Sequence, residues 1–207
     1  MEPFEEMTRK GGAIALAIAG RFFMKDDPVH ATLRSITSRL EKLGVPYAVA
    51  GGMSLVAHGY ERTTNDVDIL VNAEGLHRIH AELEGLGYVR PFANSKNLRD
   101  TSTGVRIEFL ISGQYPGDGK PKPVAFPEPA AAGEVIDGIR YLQLGKLVEL
   151  KLASGISAAH RLKDLADVQE LIQVLKLPRE YASKLDPSVQ ERFLDLWDAA
   201  QSAPPAE

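Results

Sequence analysis

Ala50-Gly51-Gly52-Met53-Ser54, followed twelve residues later by Asp66-Val67-Asp68, carries the deciding pattern of this chain. The apolar run from Val45 to Ala50 has the character of a short strand that stops at the glycine pair, and a helix is expected from about Met53 to Gly59. The next segment, Asp66-Val-Asp-Ile-Leu-Val71, alternates polar and apolar residues before turning wholly apolar. In a strand of side-chain period two, Asp66 and Asp68 point to one face and Val67 and Ile69 to the other. Two carboxylates spaced about 7 Å along one strand edge can share hard divalent cations, which prefer oxygen ligands. A glycine pair ahead of a helix lets backbone N–H groups approach a polyphosphate closely, and the helix N-terminus favours its charge. Together the two segments imply metal-assisted chemistry on a nucleoside triphosphate.

Arg62-Thr-Thr-Asn-Asp66 leads into the second strand. The combined pattern, Gly51-Gly52-x-Ser54 and then Arg62-x-Thr64-x-Asp66-x-Asp68, resembles the nucleotidyltransferase superfamily with the DNA polymerase β-like fold. More narrowly it is similar to the AbiEii-type enzymes, which include toxins of type IV toxin–antitoxin pairs. The resemblance implies an α+β fold, with a core sheet flanked by helices and a helical C-terminal half. It also implies two Mg²⁺ ions, with Mn²⁺ an alternative, bound with a nucleoside triphosphate.

Composition sets the outer bounds. A chain of 207 residues suffices for one well-buried catalytic core with a helical appendage. Its 44% hydrophobic and 25% charged residues are ordinary for a globular protein. A net charge of −4 gives no global attraction to nucleic acid or anionic membrane, so any such binding needs a local basic patch. The absence of cysteine excludes disulfides, thiolate zinc sites and a cysteine nucleophile. This fits a reducing cytosol, and a cytoplasmic location is the expectation. The longest apolar run, Gly11 to Gly20, is far short of a membrane span. Glu2, Glu5 and Glu6 also spoil the positive n-region of a signal peptide, so residues 1–27 are expected to form a loosely ordered arm.

The nucleotidyltransferase core is expected over residues 28–112. Leu33, Ile36, Leu40 and Leu43 recur at helical spacing over His30–Leu43, with Gly44 as the stop. A second amphipathic helix is expected over Leu76–Leu86, then weaker strands at Tyr88–Phe92 and Asn97–Asp100. Over Thr103–Ile111, Val105, Ile107, Phe109 and Ile111 alternate with Arg106, Glu108 and Leu110, a clear strand. Residues 113–140 form a Pro/Gly-rich connection, and 141–207 a helical region. In that region a short strand at Tyr141–Leu144 precedes helices at about Lys146–Ser154, Arg161–Leu175 and Pro187–Gln201, ahead of a frayed tail.

Nucleotidyl transfer is an in-line displacement at the α-phosphorus, whose obstacle is charge build-up. Positioning and cation clamping therefore do most of the work. A third carboxylate, from a neighbouring strand, belongs beside the attacking hydroxyl, and Glu108 is the candidate metal ligand and general base. In the superfamily this position is most often Asp. The alternative for Glu108 is a pairing with Arg106 or a surface lysine on a solvated face. Gly51, Gly52 and Ser54 would hold the triphosphate, or else form only a strand–helix turn. Arg62 could bind phosphate or brace the loop that carries Asp66. His58, before a glycine at a helix end, is assigned to capping or packing.

The AbiEii-type enzymes carry a lysine on one helix and an Arg-x-Lys-Asp segment on the next. The matching residues are Lys151, then Arg161-Leu-Lys163-Asp164, with Asp167 one turn later. Helical spacing places Arg161 and Asp164 on an inward-facing stripe with Val168, Ile172 and Leu175. Lys151 would then face the triphosphate, with Asp164 orienting it or the acceptor; the alternative is a buried structural pair. Lys163 falls off that stripe.

The resemblance makes a tRNA 3′ end a reasonable acceptor and a cognate antitoxin protein a possible partner. Lys120, Lys122, Arg140, Lys146 and Lys151 could supply cationic surface for RNA. The second reading is a small-molecule, antibiotic-modifying nucleotidyltransferase, with Glu128, Glu134 and Asp137 as acid groups for a cationic acceptor. The third is a catalytically silent nucleotide-binding module.

Overall fold

The computed structural model describes residues 4, 6 and 19–202. Most of the expected N-terminal arm, and the 203–207 tail, lie outside the described residues. The first long helix, α1 (Pro28–Lys42), starts where Asp27 caps it, accepting hydrogen bonds from the backbone N–H groups of Val29 and His30. Gly44, in the left-handed region at φ 62°, ends it as expected. Then follow β1 (Ala48–Val49), α2 (Gly51–Ala57), β2 (Asp66–Val71) and α3 (Ala73–Leu83), which Asn72 caps. Next come β3 (Tyr88–Val89), β4 (Leu98–Asp100) and β5 (Arg106–Ile111). The second half contains α4 (Pro129–Ala132), β6 (Gly133–Ile136), β7 (Ile139–Leu142), α5 (Leu144–Ser157), α6 (Leu162–Val174) and α7 (Pro187–Ser202).

Among the described residues, seven strands form one mixed sheet in the order β3-β4-β5-β2-β1-β7-β6. The β2–β5 and β1–β7 pairs are parallel and the others antiparallel. The mixed α/β class is the one expected. Two differences from the sequence reading concern elements. The strand and helix flanking Ala50 meet directly, because α2 begins at Gly51 and not near Met53. The stretch expected to be a connecting loop holds α4 and β6, and β6–β7 extends the sheet from the second half of the chain. Glycine and proline masked these short elements, whose four residues each carry almost no periodicity.

Strand alternation decides where the chemistry sits. Val67, Ile69 and Val71 of β2, with Ile107, Phe109 and Ile111 of β5, face one core with Leu33, Ile36 and Leu40 of α1 and Ile79 of α3. The opposite face, carrying Leu70 and Leu110, packs against Leu147 and Val148 of α5, Val168 and Leu171 of α6, and Phe193 of α7. Each fully buried Leu, Val or Phe contributes about 1.5–3 kcal/mol. Asp66 and Asp68 share the face of Leu70, and Glu108 that of Leu110. The carboxylates therefore look toward the α5–α6 layer.

Candidate active site

Parallel pairing sets the register: Asp66 lies opposite Arg106 and Asp68 opposite Glu108. Ligand oxygens of Asp66, Asp68 and Glu108 all lie within 4.8 Å of one another, a group able to hold a divalent ion. The donor set is all carboxylate oxygen and suits a hard cation such as Mg²⁺ or Mn²⁺. Burial, and then the negative charges of Asp66 and Glu108, push the Asp68 carboxyl up to about 7. A carboxyl held at such a value is one that a bound cation would return to its ionised form.

Glu108 combines two of the features weighed for it: nearness to the other acids and a pairing with Arg106. It belongs to the carboxylate trio, and its Oε2 also accepts a hydrogen bond from Arg106 Nη2 at 2.6 Å. The same guanidinium nitrogen lies 3.5 Å from Asp66 Oδ2. Arg106 thus stands as the trio's local countercharge, a role its alternation position alone did not indicate. The Thr64 hydroxyl donates to Asp66 Oδ1 at 2.9 Å and fixes that carboxylate from the preceding loop.

The glycine pair is required by space. A Cβ on Gly51 would fall 1.7 Å from Asp68 Oδ2, and Gly51 adopts φ +56°; a Cβ on Gly52 would fall 2.7 Å from Thr64. Both glycines line the same cavity as the carboxylates. Ser54 does not. It is fully buried in α2, with a hydroxyl that has no hydrogen-bond partner. The expected phosphate contact from Ser54 is therefore not found: three residues into α2, the side chain has turned from the cavity into the core.

Above the carboxylates, α5 and α6 supply a second set of charges. Lys151 Nζ donates to Asp164 Oδ1 at 2.9 Å and to Asp167 Oδ2 at 2.7 Å. The Ser154 hydroxyl donates to Asp164 Oδ2 at 2.6 Å. Arg62 Nη1 reaches both oxygens of Asp167, at 2.6 and 2.8 Å. Burial alone would raise Asp164, but the Lys151 charge and the hydrogen bonds from Ser154 and Lys151 outweigh it and hold the carboxyl below its usual range. Arg62 braces its loop against α6 and at the same time lines the cavity.

Arg161 departs from expectation. It caps α6 from a short 3₁₀ turn and is exposed, not inward-facing. It nonetheless lines the cavity mouth with Lys163. His58 caps α2, and its Nε2 lies 2.8 Å from the Leu142 carbonyl oxygen, the packing role expected.

The resulting cavity, of about 490 Å³, brings together Gly51, Gly52, Arg62, Asp66, Asp68 and Glu108 with Lys151 and Asp164. Ser54 stands apart from this constellation. Asp167, Arg106 and Ser154 were not expected there as site residues. Asp167 could have been found from its i, i+3 spacing to Asp164, which puts both acids on one helical face. The hydrophobic floor includes Leu110, Phe126, Leu142 and Leu150.

A family model described as aminoglycoside-2''-adenylyltransferase matches residues 32–114, from within α1 to just past β5. A search of curated proteins finds no match. Among solved structures, a protein described as a nucleotidyltransferase from Thermotoga maritima is similar at 21% identity, over 66% of this chain and 91% of its own, with a TM-score of 0.47. One so described from Helicobacter pylori is similar at 18% identity over 81% and 89% of the two chains, with a TM-score of 0.44. The structure of ANT(2'')-Ia in complex with adenylyl-2''-tobramycin is similar at 12% identity over 83% and 98%, with a TM-score of 0.43. The family-model match contains the glycine pair and all three carboxylates. Over this core the chain is similar to a nucleotidyltransferase family model. Among the described residues, no helix is long and apolar enough to cross a membrane.

Proposed function

We propose that this protein transfers a nucleoside monophosphate from a nucleoside triphosphate to a hydroxyl of a small, polar acceptor, with Mg²⁺ as the working cation. One observation carries the reading: three carboxylates and a sterically obligatory glycine pair line one cavity together with Arg62 and Lys151. Its volume of about 490 Å³ lies in the range of small-molecule sites.

Asp66, Asp68 and Glu108 would hold the cation, which supplies charge neutralisation at the reacting phosphate. Gly51 and Gly52 let the phosphate chain lie against backbone. Arg62 and Lys151 face its negative charge. Glu108 accepts the proton of the attacking hydroxyl as the new O–P bond forms and the bond to pyrophosphate breaks. The floor around Leu110, Phe126 and Leu150 offers apolar surface to a base or a sugar ring.

A small acceptor is favoured by the fate of four of the five basic residues expected to serve RNA, Lys120 being the exposed exception. Lys122 is paired with Asp118, Lys146 with Glu149, and Lys151 with Asp164 and Asp167. Arg140 lines a different groove, beside Glu41 and Tyr47. The name of the matching family model points to aminoglycosides, polyhydroxylated cations, as the first acceptors to try. The acids expected to receive such a cation sit elsewhere: Glu128 accepts from Ser112, Glu134 neighbours His58, and Asp137 neighbours Lys25. The remaining acids of the cavity, Asp164 and Asp167, are engaged by Lys151, Arg62 and Ser154.

A tRNA 3′ end is the second reading, favoured by exposed Arg161 and Lys163 at the cavity mouth. With it goes the antitoxin partner that the AbiEii-type resemblance implies. The test is transfer from α-labelled ATP, CTP, GTP and UTP onto an aminoglycoside panel and onto total tRNA, with an Asp66→Ala/Asp68→Ala variant alongside. Label on an aminoglycoside, absent with the variant, supports the proposal. Label on tRNA alone moves the assignment to the second reading. NTP binding without transfer to any acceptor leaves a nucleotide-binding module.

A further inference from the structure

We infer that Asp167 is a positioning residue that presents Arg62 and Lys151 together as one cationic clamp for the phosphates that leave as pyrophosphate. The inference rests on the nucleotidyltransferase reading above. It starts from a carboxylate whose side chain is only 5% exposed and which serves two cations at once. Arg62 Nη1 donates to both of its oxygens, at 2.6 and 2.8 Å, and Lys151 Nζ to Oδ2 at 2.7 Å. The three residues come from the loop before β2, from α5 and from α6, and all three line the cavity.

Tying two helices together needs only one ion pair, and Lys151–Asp164 already provides it. The Arg62–Asp167 contact joins residues 105 positions apart and brings a guanidinium from the loop that carries Asp66 next to the ammonium. Two like charges held side by side repel, so an anion between them is what keeps them convergent. With Asp164 and Asp167 the group is neutral as it stands, which lets the cations remain buried until a highly charged ligand arrives. Arg62 and Lys151 then offer donors in fixed places, where free side chains would have to be ordered on binding. Asp167 itself is acidic and makes no bond to phosphate; its action runs through the two cations.

The experiment compares the parent with Asp167→Asn, Asp167→Glu and Arg62→Gln, using inorganic pyrophosphate with Mg²⁺ as the probe. Calorimetry gives its affinity, and steady-state kinetics separates KM for the NTP from KM for the acceptor. The expected result for Asp167→Asn is pyrophosphate affinity and NTP KM weakened about ten-fold or more, the loss of a hydrogen bond to a charged group. Acceptor KM should stay unchanged, and Asp167→Glu should recover part of the loss. Asp167→Asn that is only less heat-stable, with pyrophosphate and NTP binding unaltered, overturns the inference and makes the contact structural. If Asp167→Asn does not fold, Arg62→Gln decides by the same two constants. A parent that binds NTP while all variants match it defeats the clamp alone. A parent that binds neither NTP nor pyrophosphate defeats the clamp together with the functional reading beneath it.

Discussion

Asp68 and Glu108 stand opposite each other across the parallel β2–β5 ladder, and their carboxylates converge with Asp66 on one side of the sheet. Pairing like charges this closely has a cost that the cation-free protein must bear. Burial and the two neighbouring acids raise Asp68 to about 7, against roughly 3.9 for an exposed aspartate. An acid raised on folding is protonated in the native state while its unfolded counterpart is ionised. Stability therefore falls as pH rises from about 4 to about 7, and is level beyond. In EDTA, Asp68→Asn should raise Tm at pH 8, by roughly 2–4 °C for each kcal/mol relieved, and the gain should vanish near pH 4. Calorimetry across that range checks it; a gain independent of pH would sink the argument.

The same carboxyl sets the pH dependence of cation binding. A divalent ion needs Asp68 ionised, so Mn²⁺ affinity should climb between about pH 6 and pH 8 with release of a proton. Titration of Mn²⁺ followed by electron paramagnetic resonance measures this directly. An affinity that stays flat across this interval would place the ion elsewhere.

Arg106 competes for the same oxygens. Its guanidinium contacts Glu108 at 2.6 Å and Asp66 at 3.5 Å, on side chains that are 28–38% exposed. Partly exposed ion pairs are worth at most about 1 kcal/mol, so Arg106→Ala should tighten Mn²⁺ binding about two- to five-fold. Weaker binding in Arg106→Ala would show that the guanidinium instead holds Glu108 in place for the ion.

Gly51→Ala should abolish cation binding while the chain still folds. The added methyl would sit 1.7 Å from Asp68 Oδ2, so the carboxylate must leave its place. The left-handed φ of +56° adds about 1–2 kcal/mol of backbone strain. Far-ultraviolet circular dichroism should remain close to the parent, and Mn²⁺ titration should show no specific site. Retained binding would mean that the turn and the carboxylate move independently.

What could be read in the sequence is what depends on short period and sharp punctuation. The alternation of Asp66–Val71 and Arg106–Ile111 gave both strands and the shared face of three acids, because a strand's period of two survives over six residues. Gly44 ends its helix as read, whereas the caps Asp27 and Asn72 start α1 at Pro28 and α3 at Ala73, ahead of the expected His30 and Leu76. Long-range geometry was out of reach. Asp167 gains its two cations only after α6 packs beside α5 and the Arg62 loop folds down. Arg161, placed inward by helical spacing, precedes the helix proper and so does not follow its periodicity.

Ser54 brings the same point to a test. Its position beside the glycine pair marks it as a phosphate ligand, yet its hydroxyl is buried, without a partner and off the cavity. A buried unsatisfied hydroxyl costs about 1–3 kcal/mol, and removing it leaves little void. Ser54→Ala should therefore be neutral or more stable by roughly 1 kcal/mol, with the KM for NTP unchanged. A phosphate ligand would behave oppositely, since losing a donor to a charged oxygen weakens NTP binding by about ten-fold without stabilising the fold. NTP titration on this one variant separates the two, since binding is unchanged in one case and about ten-fold weaker in the other, and a rise in Tm on melting adds to the first.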